Sequence, residues 1–233
     1  MTFPAALPHG PITKVVDGVY AVRSGFRMGP GVVISRTMTV VQADDGLAVM
    51  NAARLSEEGF AELERLGPIK HVVKLSDSHG VDEPYFVDRF KPQVWTLDGV
   101  KHIAGTRRLG PDSPLSAGHV IALPGATAWR ECMYWLPNGG GTLVACDALQ
   151  NHADTEGASF VARLITPMMG FKGGLIVAPM WRKYQKVSGP QVSAAFAPAL
   201  ELSFANVITG HGPAIAGGAD AATRAAVERG AAS

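Results

Sequence analysis

His71-Val72-Val73-Lys74-Leu75-Ser76-Asp77-Ser78-His79-Gly80-Val81-Asp82 is an apolar run that breaks into a loop of acidic, hydroxyl and imidazole side chains. The run at 71–75 suits a strand inside a sheet, and the loop begins where such a strand would leave it. Two later segments repeat the arrangement. Thr142-Leu143-Val144-Ala145-Cys146 delivers Asp147, and Phe204-Ala205-Asn206-Val207-Ile208 leads into Gly210-His211-Gly212. Side chains carried at strand ends can converge from distant parts of a chain, because a rigid sheet presents them at one edge.

Outward from these segments, the first fifty residues read as strands over Gly18 to Arg23, Gly31 to Ser35, Met38 to Ala43 and Leu47 to Asn51. Asp44-Asp45-Gly46 marks a hairpin turn. Ser56 is placed as an N-cap, with Glu57 and Glu58 in the first turn, where the helix dipole favours anions. Phe60, Leu63 and Leu66 share a helical face, and Gly67-Pro68 stops the helix. Further on, 94–97 and 119–123 are strand candidates, and Pro137-Asn138-Gly139-Gly140-Gly141 joins two arms of a hairpin. Phe160, Leu164 and Met168 predict one helix, with Pro167 ending or kinking it. Val192, Phe196 and Leu200 predict another, and Ala219 to Arg229 a last one closed by Gly230. Residues 45–52 and 141–148 echo each other as turn, apolar strand, polar end and helix. Periodicity supports a mixed α/β class.

The order of these elements resembles the metallo-β-lactamase fold superfamily, over roughly Val16 to Pro213: an opening Asp17-Gly18-Val19-Tyr20, the strand at 44–50, a helix, the ligand loop, Asp147 and a terminal His-Gly. Residues 79–85, 146–150 and 169–171 are similar to a divergent bacterial branch. The resemblance implies an αββα sandwich of two mixed sheets with flanking helices, formed by residues 1–233 as one domain. It also implies a site. The superfamily's His-x-His-x-Asp-His loop, laid on this sequence, places Asp77, His79, Val81 and Asp82 at its polar positions. Ala126 stands where a further histidine follows Pro-Gly, while Asp147 and His211 keep theirs. The expected centre is therefore a single divalent transition metal (zinc, iron or manganese) held by His79, Asp82, Asp147 and His211. Asp77 would be an extra carboxylate, orienting or deprotonating a water beside His79.

The residues themselves leave alternatives open. Neutral imidazole binds such metals, yet a turn histidine also bonds to backbone. Asp147 could cap a turn, Asp82 could be the N-cap of a short helix, and Asp77 could form an Asx turn. His152 reads as a proton shuttle or a surface histidine. Trp181, Arg182, Lys183 and Tyr184 read as a substrate mouth or an amphipathic surface.

At 233 residues the chain can bury one substantial core. With 47% hydrophobic and 18% charged residues it is not a disordered chain. A net charge of +1 gives no footprint for nucleic acid or an anionic membrane. The two cysteines, Cys132 and Cys146, read as buried free thiols. No segment reaches the ~18 apolar residues of a membrane span and no signal-like start is seen, so a cytoplasmic protein is expected. Gly139-Gly140-Gly141 lies in a hairpin, which rules out a phosphate loop, and there is no Gly-x-Ser-x-Gly elbow. The leading expectation is a hydrolase of a small ester, lactone or amide. A metal-free acid/base enzyme and a non-catalytic binding protein are the rivals, and the sequence leaves the oligomeric state open.

Overall fold

Consecutive residues of the central strands send their side chains into different cores. Val72, Val49 and Val40 pack in one apolar cluster while Val73, Met50 and Val41 pack in another. Met133, Leu143 and Val207 lie in a third cluster, whereas their neighbours Tyr134, Val144 and Ile208 join the second. A strand buried on both faces must be apolar at every position, which is why these segments show no alternation. The middle cluster holds two sheets face to face, and the outer two lie beneath helices.

The computed structural model describes residues 3–97, 105–110, 113–115, 117–124 and 130–232. Its first sheet runs in order β1 (His9–Val16), β2 (Val19–Gly29), β3 (Val32–Ala43), β4 (Gly46–Met50), β5 (Ile69–Lys74), β6 (Gln93–Thr96) and β7 (Arg107–Arg108). Strands β1 to β4 form an antiparallel meander, and β4 to β7 are parallel. Helix α1 (Glu57–Glu64) crosses from β4 to β5, and α2 (Glu83–Phe90) from β5 to β6. The Ser56 hydroxyl accepts from the Gly59 amide, as its placement at an N-cap requires.

The second sheet contains β8 (His119–Leu123), β9 (Glu131–Leu136), β10 (Thr142–Val144), β13 (Asn206–Ile208) and β14 (Ile215–Ala216), in the order β14-β13-β10-β9-β8. A separate pair, β11 (Leu149–His152) with β12 (Gly174–Val177), precedes helices α4 (Pro179–Gln185), α5 (Pro190–Leu200) and α6 (Ala219–Ala231). Together these layers make the expected αββα sandwich.

Several local expectations are corrected. The two short strands expected at 31–35 and 38–43 are one strand, β3, because Arg36 and Thr37 stay in register with Ser24 and Arg23 of β2. The second half of the internal echo ends in β11 and not in a helix. Helix α6 passes through Gly230, whose missing Cβ leaves room for the nearby Val177 side chain. The helix expected at 160–168 forms as α3 (Phe160–Met168), capped by Ser159, but its apolar side chains Phe160, Leu164 and Met168 face outward. Trp181 of α4 is buried in the core, and the Arg182 guanidinium donates to the Gly230 carbonyl at 2.8 Å, so this segment braces two helices. Cys132 and Cys146 are buried free thiols. Among the described residues, no helix is long and apolar enough to cross a membrane.

Candidate metal centre

Strands β10 and β13 are parallel neighbours, so the segments after them, carrying Asp147 and His211, leave the second sheet side by side. The loop after β5 comes from the other sheet. It is tied across by a bridge between Ser76 and Glu131 and by the Cys132 amide donating to the Leu75 carbonyl at 2.8 Å. These three connections bring His79, Asp147 and His211 together. His79 Nε2 lies 3.2 Å from His211 Nε2 and 3.3 Å from Asp147 Oδ1, and His211 Nε2 lies 3.1 Å from Asp147 Oδ1.

Each group is held from behind. His211 Nδ1 donates to the Ser35 carbonyl at 2.6 Å, which leaves its Nε2 lone pair facing the cluster. Gly212 has φ +86°, and a Cβ there would collide with the Asn151 carbonyl oxygen, so the turn after His211 requires glycine. His79 is fixed through its own carbonyl, which accepts from the Lys74 ammonium, and Lys74 is paired with Glu83 at 3.0 Å. Asp147 Oδ2 accepts from the Ser78 hydroxyl.

Burial alone would raise the Asp147 carboxyl, but the His79 and His211 imidazoles beside it hold it well below the usual carboxylate range. It is therefore an anion at neutral pH. With both rings neutral and their Nε2 atoms unprotonated, two ring nitrogens and a carboxylate oxygen converge as the ligand chemistry of a divalent transition metal. In a tetrahedral site with metal–ligand bonds of about 2.0–2.1 Å, neighbouring ligand atoms lie roughly 3.3–3.4 Å apart. The observed triangle, with edges of 3.1 to 3.3 Å, fits three of four such positions. The Cys146 sulfur lies within 4.8 Å of the His79 and Asp147 ligand atoms. Burial, and then the Asp147 and Glu131 carboxyls, push its thiol well above the ordinary value.

Two of the carboxylates expected here have other partners. Asp82 pairs with the buried Arg36 guanidinium and accepts from the Arg54 amide at 2.9 Å, because a buried cation attracts the nearest carboxylate. It also occupies the N-cap position of α2, without a side-chain capping bond. The Asp77 amide donates to the Arg130 carbonyl at 3.1 Å and its Oδ2 accepts from the Arg130 amide at 3.1 Å, joining the two halves. Val81 lines the adjoining cavity, and Ala126 falls outside the described residues.

Two residues near the centre are absent from the candidates that the sequence offers. Glu131, at the start of β9, is 3% exposed and accepts from the Ala148 amide at 2.7 Å. Desolvation and the Asp147 charge raise its carboxyl well above normal, while the amides of residues 146–148 partly offset them. Its place inside an apolar strand, Glu-Cys-Met-Tyr-Trp-Leu, was the available clue. The second is Gln150, whose amide reaches the Asp147 carbonyl at 3.2 Å and whose oxygen bonds His152 Nε2 at 2.9 Å. Burial, and then the neighbouring His211, lower His152 to about 4, so it is a half-buried neutral ring held by Gln150.

A cavity of about 30 Å³ opens beside the imidazoles, lined by Phe26, Arg36, Ser78, His79, Gly80, Val81 and His211. By the usual measure it holds roughly two waters.

No protein-family model matches the sequence, and no curated protein does. Solved structures do. The chain is similar to the DIM-1 metallo-β-lactamase exposed to ceftazidime, with 13% identity, a TM-score of 0.62 and coverage of 97% of this chain and 99% of that one. It is also similar to the metallo-β-lactamase FIM-1 from Pseudomonas aeruginosa in its mono-zinc form, with 15% identity, a TM-score of 0.57 and 98% of each chain covered. A metallo-β-lactamase from Erythrobacter litoralis is similar at 13% identity and a TM-score of 0.58, over 95% of this chain and 90% of that one. Two sheets with three core layers, three strand-end loops meeting at one edge and near-complete structural coverage together show that this polypeptide has the metallo-β-lactamase fold.

Proposed function

We propose that the protein is a metal-dependent hydrolase of a small ester, lactone, amide or related substrate. The observation that carries this reading is the triangle of His79 Nε2, His211 Nε2 and Asp147 Oδ1, three ligand-type atoms whose separations suit one shared cation. Those three residues would hold it. Two imidazoles and one carboxylate suit zinc, with iron or manganese sharing the same ligand chemistry. When bound, such a metal polarises a carbonyl oxygen and acidifies a water.

The chain's own groups complete the site. Ser78 fixes the second Asp147 oxygen, so the carboxylate offers one oxygen to the cation. The Ser35 carbonyl keeps the His211 proton on Nδ1. The withdrawal of Asp77 and Asp82 toward Arg130 and Arg36 supports one metal and not two.

Elemental analysis of protein purified without chelator, followed by calorimetric zinc titration, tests the reading. About one equivalent per chain is expected, with loss of binding in His79→Ala and His211→Ala. Hydrolysis of chromogenic esters and lactones should stop with chelator and return with zinc. No zinc uptake at micromolar concentration would refute the proposal, and two equivalents would refute the single centre.

A further inference from the structure

Helix α3 turns its apolar side chains away from the protein. Phe160, Leu164, Met168 and the C-cap Met169 each expose more than half of their surface, Val161 and Ile165 are exposed beside them, and only Ala162 of the helix is buried. Taking roughly 150–200 Å² for a large apolar side chain, these six present about 600 Å², the upper end of the patches that soluble monomers carry. The helix is held to the body at both ends. At its start the Ser159 amide donates to the Val33 carbonyl at 2.8 Å and the Ser159 hydroxyl accepts from the Val33 amide at 3.0 Å. At its end Gly170 lies against Pro179 of α4.

The charge around this face has one sign. Residues 157–200 hold Arg163, Lys172, Arg182, Lys183 and Lys186 and no aspartate or glutamate, a formal +5, so a chain of net charge +1 carries −4 over its remainder. Arg182 turns inward to the Gly230 carbonyl, and the other four are exposed. Arg27, opposite Val33 in the β2–β3 hairpin, adds a fifth exposed cation where that hairpin meets α3. The small net charge of the chain conceals this asymmetry.

We propose that α3 docks the protein on the surface of an anionic lipid bilayer. The helix lies in the interface, its apolar side chains reach the upper acyl carbons, and the surrounding cations meet the headgroups. Arginine and lysine suit that rim because their stems are apolar and their charged heads reach outward. Attachment is peripheral, since among the described residues no helix is long enough to cross. A second copy of the chain fits this face less well. The apolar area falls short of the roughly 800 Å² that each partner gives to a standard interface, and pairing the face with itself would bring like charges together. The proposal goes beyond the hydrolase reading and does not depend on the metal.

Co-sedimentation of the full chain with lipid vesicles tests it. Vesicles of phosphatidylcholine and phosphatidylglycerol in equal parts should retain the protein, and raised salt should release most of it. Vesicles of phosphatidylcholine alone should bind at least about tenfold more weakly. Phe160→Ser/Met168→Ser, which leaves every charge in place, should lower affinity for the mixed vesicles at least about tenfold. Lys172→Gln/Lys183→Gln/Lys186→Gln should bind the mixed vesicles little better than the neutral ones. Phe160→Trp keeps the face apolar and reports on it directly: its added emission, relative to wild type, should shift to the blue with mixed vesicles.

Failure of the wild type to sediment with mixed vesicles would overturn the proposal, as would equal retention of the serine variant, equal affinity for neutral vesicles or an unshifted Phe160→Trp emission. A dimer in lipid-free solution that the serine variant dissolves would assign the face to a second copy instead.

Discussion

His211 shows how one proton sets the character of the centre. Donation from Nδ1 to the Ser35 carbonyl turns Nε2 toward the Asp147 carboxylate. Removing the ring should therefore abolish metal retention but cost stability of only about 1 kcal/mol, the worth of one hydrogen bond. Metal analysis and thermal melts of His211→Ala check this, and a large fall in melting temperature with metal content unchanged would contradict it. Glu131 should behave in the opposite way. Its carboxyl accepts from the Ala148 amide inside a fully buried turn. Glu131→Ala should cost about 1–3 kcal/mol by orphaning the turn's amides, and Glu131→Gln, which keeps an acceptor, much less. Urea denaturation of both variants measures the difference. His79, Asp147 and His211 were legible as candidates because each follows an apolar strand. The same pattern offers Asp82 as a fourth ligand and Asp77 as a carboxylate beside a water, yet their side chains take the Arg36 guanidinium and the Arg130 amide as partners.

At the level of elements, the turn after β13 and the helix α3 are informative. Gly212 sits at φ +86° against the Asn151 carbonyl. Gly212→Ala should destabilise the protein by about 1–3 kcal/mol through backbone strain, and thermal melts would show it. Helix α3 was legible as a helix from its apolar spacing, but the face it buries was not. Phe160 is 75% and Met168 87% exposed. Spacing reports that three side chains share a stripe, and says nothing of whether another element covers it. Phe160→Glu with Met168→Glu should reduce binding of a hydrophobic dye and change stability by less than about 0.5 kcal/mol, as for surface positions generally. A sharp loss of stability would show that the stripe packs against something.

Across the whole molecule, the buried Lys74–Glu83 pair links the fold to the site loop, since Lys74 also bonds the His79 carbonyl. Desolvation raises the Glu83 carboxyl above its ordinary value despite the Lys74 charge. A raised carboxyl means that, between its unfolded and folded pKa, the folded state holds more proton than the unfolded one. Its contribution to stability therefore declines as pH rises through that window, from about 4.5 upward. The Lys74→Met/Glu83→Gln double variant should lose this slope. Chemical denaturation of both proteins from pH 4 to 7 gives the comparison, and parallel curves would show that the pair does not titrate there.

The sequence settled the strands that lead into the site and the helix after β4, because runs apolar at every position demand sheets buried on both faces and a capped segment demands a helix at a fixed place. It also settled that three polar loops follow such strands, which was enough to name the two histidines and Asp147. The tertiary structure decided which of five polar residues stand within about 3.3 Å of one another. Partner choice for a buried charge depends on what lies across the fold: Arg36, drawn from the strand β3 that the sequence split in two, is 46 positions from Asp82 and captures it. Electrostatic pairing falls off over a few ångströms and is blind to sequence separation, so no local pattern encoded that outcome.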